Sequence, residues 1–138
     1  RDRLRSRGLG DVYKRQQPME LRTDSITGAQ HAVVYSLGNF ISNMSKVNTD
    51  GGLIFTLELE KDTTISTSPQ IRVQRCEYNS VWTARPNLTK EKNYVLYPTD
   101  SASISKLPEA ARNHLNIFVK NSRKLLQQHN VGIKENKK

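Results

Sequence analysis

The sequence predicts an α+β domain, an antiparallel-rich β-sheet followed by one C-terminal amphipathic helix. Three observations carry this. Leu53, Phe55, Leu57 and Leu59 alternate with Ile54, Thr56, Glu58 and Glu60, the two-residue period of a strand with one apolar face. Short strand-like runs recur near 32–37, 70–77, 80–85 and 94–97 with tight connections, which favours a meander over parallel βαβ units. From Pro108 the period changes. Ala111, Leu115, Phe118, Ser122 and Leu125 fall at 4-3-4-3 spacing with Ile117 and Leu126 beside them, one apolar stripe on a helix of about 20 residues.

Taken in order, residues 1–16, RDRLRSRGLGDVYKRQ, show neither helical nor strand periodicity and carry a strong basic bias. Composition alone gives a disordered basic arm. The stretch Ser6 to Gln16 also resembles a translated transposon-end sequencing adapter, with Arg1-Asp2 fitting the adjoining flow-cell end and Arg3 to Arg5 the sample index between. On that reading residues 1–16 are a non-native tail, excluded from fold reasoning and expected to make few contacts. They hold +4 of the chain's +9 net charge and leave +5 for the remaining 122 residues. That charge is scattered and bunches only toward Lys134–Lys138, so residues 131–138 are expected to be a basic, solvated tail. No basic cluster with interleaved aromatics remains, which speaks against a nucleic-acid partner.

Residues 17–130 are long enough for one modest core. Pro18 to Arg22 predicts a short edge strand, because proline lacks the N–H that a central strand needs. Asp24 to Gln30 is turn chemistry. His31 to Leu37 is continuously apolar, as in a strand buried on both faces. Ser42 to Asp50 reads as a polar loop, and Gly51-Gly52 permits a tight entry into Leu53–Lys61. Past a Ser/Thr-rich connector at Thr63 to Ser68, the runs Gln70–Glu77 and Val81–Ala84 are expected to pair as a hairpin turning at Tyr78-Asn79-Ser80. Pro86 to Lys92 reads as a loop, and Tyr94–Tyr97 as a short strand stopped by Pro98. The helix is expected from about 109 to 129, with Pro108 in its first turn and Asn130 to Gly132 as its stop.

Chemistry is sparse. No run approaches the roughly 20 apolar residues of a membrane span. Cys76 is the sole cysteine, which forbids an internal disulfide and suits a small buried hydrophobe on a strand. There is no G-x-S-x-G elbow and no phosphate-binding loop. His31, His114 and His129 lack the close His-x-His or Asp-x-His grouping of a metal loop, and Asp24 and Asp50 read as turn caps. Asn39, beside Gly38 at a strand end, stands out. Either its amide satisfies backbone groups in a tight turn, or it faces a substrate cleft.

One stretch carries a resemblance. Tyr35 to Phe40, YSLGNF, followed by Gly51-Gly52 and preceded by Gln17-Pro18-Met19-Glu20, resembles the C-terminal part of the bacterial capsule-synthesis CapA family. That family is associated with poly-gamma-glutamate capsules and is similar in fold to the calcineurin-like metallophosphoesterases. The resemblance covers Gln17 to about Lys61 well and the remainder loosely. It implies the C-terminal part of a calcineurin-like α/β sandwich, with Ser36, Gly38 and Asn39 lining the cleft. It also implies that the metal loops precede Gln17, so that this fragment holds no metal ligand or cofactor and is inactive alone, whereas the intact protein is hydrolase-like and uses divalent metal ions. An envelope or capsule polymer is the implied partner, and the cell envelope or periplasm the implied location. With the upstream half absent, part of Val33–Leu37 is expected to be more exposed than its composition warrants. The alternative reading is a non-enzymatic β-rich interaction module of the cell envelope, with Trp82, Tyr94 and Tyr97 as a binding patch.

Overall fold

Two antiparallel hairpins and one long helix make up the fold. The computed structural model describes residues 15–40, 44, 46–62, 70–100 and 102–136, so the expectations for residues 1–14 and for the Thr63–Ser68 connector lie outside the described residues. The first hairpin pairs β1 (Met19–Thr23) with β2 (Gln30–Val34), in register from Met19↔Val34 to Thr23↔Gln30. Its turn is built as the composition predicts. Asp24 Oδ1 accepts from the backbone N–H groups of Ile26 and Thr27 at 2.8 Å each, and Gly28 takes φ +70°.

β2 ends earlier than the expected His31–Leu37 strand and is not buried on both faces. His31 is exposed, and Tyr35 and Leu37 are 46% and 43% exposed. The β1–β2 sheet packs on a core cluster through one face, with Leu21 and Val34, so continuous apolar composition did not bring burial on both; Tyr35 and Leu37 supply the exposure expected within Val33–Leu37.

β3 (Gly51–Asp62) pairs with β4 (Gln70–Ala84) from Gly51↔Trp82 to Asp62↔Gln70, with a register shift between Glu58 and Leu59. The expected turn at Tyr78-Asn79-Ser80 is absent. Those residues pair opposite Phe55, Ile54 and Leu53, and Tyr78 and Ser80 are buried. A long partner strand and burial of the phenol ring outweigh the local turn preference of Asn and Ser. The expected loop after β4 contains a four-residue helix, α1 (Pro86–Thr89), with Pro86 in its first turn and Lys90 closing it in the left-handed region at φ 61°. β5 (Val95–Pro98) pairs with β4 at 81–84, and a 3-10 turn at Ala102–Lys106 leads into α2 (Glu109–His129).

α2 buries Ala111, Leu115, Phe118, Ser122 and Leu126. Leu126 takes the fully buried place expected of Leu125, which is half-buried, and Ile117 is exposed. A stripe counted in sevens drifts around a helix of 3.6 residues per turn, and the fifth contact falls one residue later. Two core clusters result. Trp82, Ala84, Leu107, Ala111, Leu115 and Phe118 form one, and Met19, Leu53, Tyr78, Leu126 and Ile133 the other.

The last residues correct an expectation. Residues 131–136 are not a solvated tail but a strap joining the two sheets. Val131 donates to the Met19 carbonyl at 3.0 Å and accepts from Leu21 N–H at 2.8 Å. Ile133 is 4% exposed, and β6 (Lys134–Glu135) lies parallel to β4 at Glu77 and Tyr78. Arg123 holds Glu135 in a two-point ion pair, Nε to Oε2 at 2.9 Å and Nη2 to Oε1 at 3.1 Å, and Asn136 N–H donates to the Tyr78 carbonyl. Lysine count gave the expectation; one isoleucine and the backbone groups overrode it.

Candidate functional site

The YSLGNF segment leaves β2 and is stitched to the start of β3. Leu53 N–H donates to the Leu37 carbonyl at 2.8 Å, Asn39 N–H to the Gly51 carbonyl at 3.0 Å, and Gly38 bridges Gly52. Two glycines make this approach possible. Gly38 takes φ +86°, and a Cβ there would stand 3.0 Å from the Gly51 carbonyl oxygen and 2.9 Å from Gln16 Cγ. A Cβ on Gly51 would meet the Phe118 ring at 2.4 Å and the Val81 carbonyl at 2.5 Å, so only glycine admits the helix so close to the strand.

Ser36, Gly38 and Asn39 are therefore brought together on one short arc, with Ser36 and Asn39 buried. Ser36 Oγ accepts from Gly38 N–H at 3.2 Å. Asn39 Nδ2 donates to the Thr49 carbonyl at 2.7 Å. Of the two roles open to Asn39 in the sequence, satisfaction of backbone groups is the one the geometry displays. Thr49 itself is fixed by its hydroxyl and N–H, both donating to the Lys46 carbonyl at 2.7 and 3.0 Å.

Sequence reasoning missed the group beneath this arc. Asp50, read as a turn cap, is 7% exposed, and its Oδ2 accepts from Trp82 Nε1 at 3.0 Å. Its other oxygen meets no donor among the described residues. The pair lies 32 positions apart, so spacing carries no sign of it; the β3–β4 register, which sets Gly51 opposite Trp82, is the signal that finds it. Trp82 in consequence is fully buried, with its ring 6.4 Å from that of Tyr97. It offers no binding surface, which removes Trp82 from the aromatic patch expected at Trp82, Tyr94 and Tyr97, although Tyr94 is 45% exposed.

The upstream motif residues meet the same segment from outside. Glu20 of Gln17-Pro18-Met19-Glu20 accepts from the Tyr35 hydroxyl at 3.1 Å and from Arg22 Nε at 2.6 Å, and Arg22 Nη2 donates to Tyr35 at 2.7 Å. The Arg22 hydrogen bond holds the Glu20 carboxyl below its usual range. Gln16, the last residue of the adapter-like stretch, departs from the expectation of few contacts. It is buried, bridges Leu37, and accepts from the Ser122 hydroxyl. A glutamine stem fits between Gly38 and α2 whatever the origin of the residue.

No three His, Cys, Asp or Glu side chains among the described residues are grouped to hold a metal ion. His31 is exposed on β2, and His114 and His129 are exposed about four turns apart on α2. A two-metal hydrolytic centre requires donors converging from several loops, and the described residues do not fit one. Cys76 lies half-buried on β4, and burial pushes its thiol up, away from nucleophilic use. No helix among the described residues is long and apolar enough to cross a membrane. No family model, curated protein or solved structure matches the chain.

Proposed function

We propose that this chain is the C-terminal part of a CapA-like protein acting in the synthesis of a capsule or cell-envelope polymer, with the Ser36–Asn39 arc lining its cleft. One observation supports the reading most. The residues of the resemblance, far apart in sequence, meet: Tyr35 bonds Glu20 of the upstream segment, while Gly38 and Asn39 are bonded to the Gly51-Gly52 pair. The chain's own contribution is then to hold the arc rigid, through Asn39 on Thr49 and the buried Asp50–Trp82 bond. Metal-assisted hydrolysis, if the intact protein performs it, draws its ligands from residues other than those described.

Recovery of the intact coding region tests this. A metal-ligand loop encoded immediately before Gln17 supports the proposal, and an unrelated upstream region ends it. In the intact protein, Asn39→Ala is expected to lower phosphoester turnover in a variant that still unfolds cooperatively. Unchanged turnover would remove the arc from the cleft.

A further inference from the structure

We infer that this chain self-associates through the outer edge of β2, two copies pairing antiparallel to continue one sheet. The direction of the backbone groups follows from the strap. Leu21 donates to Val131 and Met19 accepts from it, so these two residues turn their polar groups away from β2. Residues along a strand alternate in the side to which they bond, which makes Glu20 and Arg22 the ones bonded to β2, through Val33 and His31. The N–H and C=O groups of Ala32 and Val34 therefore point outward, and among the described residues no strand pairs with that edge.

Exposed edges are ordinarily blunted by charge, proline or a covering element. The β2 sequence QHAVV has no Lys, Arg, Asp, Glu or Pro. Beside it runs a groove of about 690 Å³ whose walls include Ala29, His31, Leu57, Leu59, Ile71 and Val73. Its apolar side is the outer half of the β3–β4 hairpin, where Leu59 and Ile71 are 56% and 58% exposed. Leu57 and Leu59 continue the face on which Leu53 is buried, so the core surface runs on past the core.

A second copy is the occupant this edge selects. Antiparallel pairing centred on Ala32 sets Ala32 against its symmetry mate and Gln30 against Val34 of the other copy, all residues whose polar groups point outward. No like charges oppose one another in that register. It also carries the Val34 end of each strand, with the exposed Tyr35 and Leu37 just beyond, toward the Gln30 end of the other, where the groove opens. One strand edge and one groove per copy form a small interface, which places the dimer in the weak, reversible class.

Sedimentation velocity on the full 138-residue chain over a dilution series tests the inference. The expected result is a monomer–dimer equilibrium with a dissociation constant on the order of micromolar. Ala32→Pro removes an outward N–H from each copy while leaving the bonds to β1, since edge strands accept proline where the missing donor faces solvent, and the loss of both bonds at the centre of the pair should raise that constant about tenfold or more, where tenfold corresponds to roughly 1.4 kcal/mol. Where Ala32→Pro disturbs the fold, hydrogen exchange on the unmodified chain decides instead. The Ala32 and Val34 amides should become protected as concentration rises, and Val33 should not change. A chain that stays monomeric up to about 100 μM, well above the micromolar range, overturns the inference. So does a dimer indifferent to Ala32→Pro, or protection that rises on the outer edge of β3 and not on β2.

Discussion

Replacing Ile133 by Ala tests whether residues 131–136 belong to the core. Ile133 is 4% exposed and packs with Met19, Leu53, Tyr78 and Leu126. The substitution removes three carbons from a site enclosed by both sheets and α2. At about 0.8 kcal/mol per buried methylene the transfer loss is about 2.4 kcal/mol, and the residual cavity brings the total to about 3–4 kcal/mol. In urea, with a slope of about 1–3 kcal/mol per molar, the unfolding midpoint should fall by more than about 1 M. Val131→Ala is the matched control. Its side chain is 58% exposed, so a change within about 0.5 kcal/mol is expected although the backbone on either side bonds β1. Equal, sub-kilocalorie effects of the two variants would refute the packing argument, because the strap would then be tethered by backbone contacts alone.

Gly51→Ala forces a methyl group against the Phe118 ring and the Val81 carbonyl, and thermal unfolding should report a loss of about 1–3 kcal/mol or more. Trp82→Phe keeps most of the ring but strips the donor from the buried Asp50 carboxylate; about 1–3 kcal/mol should be lost, and additivity with Asp50→Ala in a double-mutant cycle would show the bond to be unimportant. The Tyr78 phenol is pushed up to about 12, chiefly by burial, with Glu135 adding and Arg123 opposing. A raised folded-state pKa favours the neutral phenol, so that contribution to stability is whole below the ordinary value near 10 and is lost as pH rises through about 12. Absorbance titration should find a phenol ionising at about 12 that is missing from Tyr78→Phe, and the same substitution should flatten the decline between those two values. Deletion of residues 1–14 should alter the unfolding free energy by less than about 1 kcal/mol, the size of one typical damaging substitution; a larger loss would mark the stretch as native.

Period carried most of what the sequence revealed. Strict alternation in Leu53–Glu60 and the stripe in Ala111–Leu126 each repeat a single physical requirement many times, and β3 and α2 follow them closely. Errors arose where one residue decided the outcome. Tyr78 turned an expected hairpin into a continuous strand, and Ile133 turned an expected tail into a core segment. For the arc, adjacency made Ser36, Gly38 and Asn39 visible, since they lie within four positions of one another. Asp50 and Trp82 stayed hidden because their bond exists only after β3 and β4 have found their register.

The bond from Met19 N–H to Asn130 Oδ1, 2.8 Å long, closes 111 residues of chain. Contacts of such separation are entropically late, and they slow folding more than they stabilise the product. During synthesis at about 5–20 residues per second, β1 and β2 emerge roughly 5–20 seconds before the strap that anchors them. Over that interval the hairpin is held through the segment bonded to the start of β3, and a two-stranded hairpin by itself is marginal in water. The β1–β2 sheet therefore completes its contacts only after the strap is made, and chaperone binding to nascent chains should persist until the segment around Ile133 has cleared the ribosome.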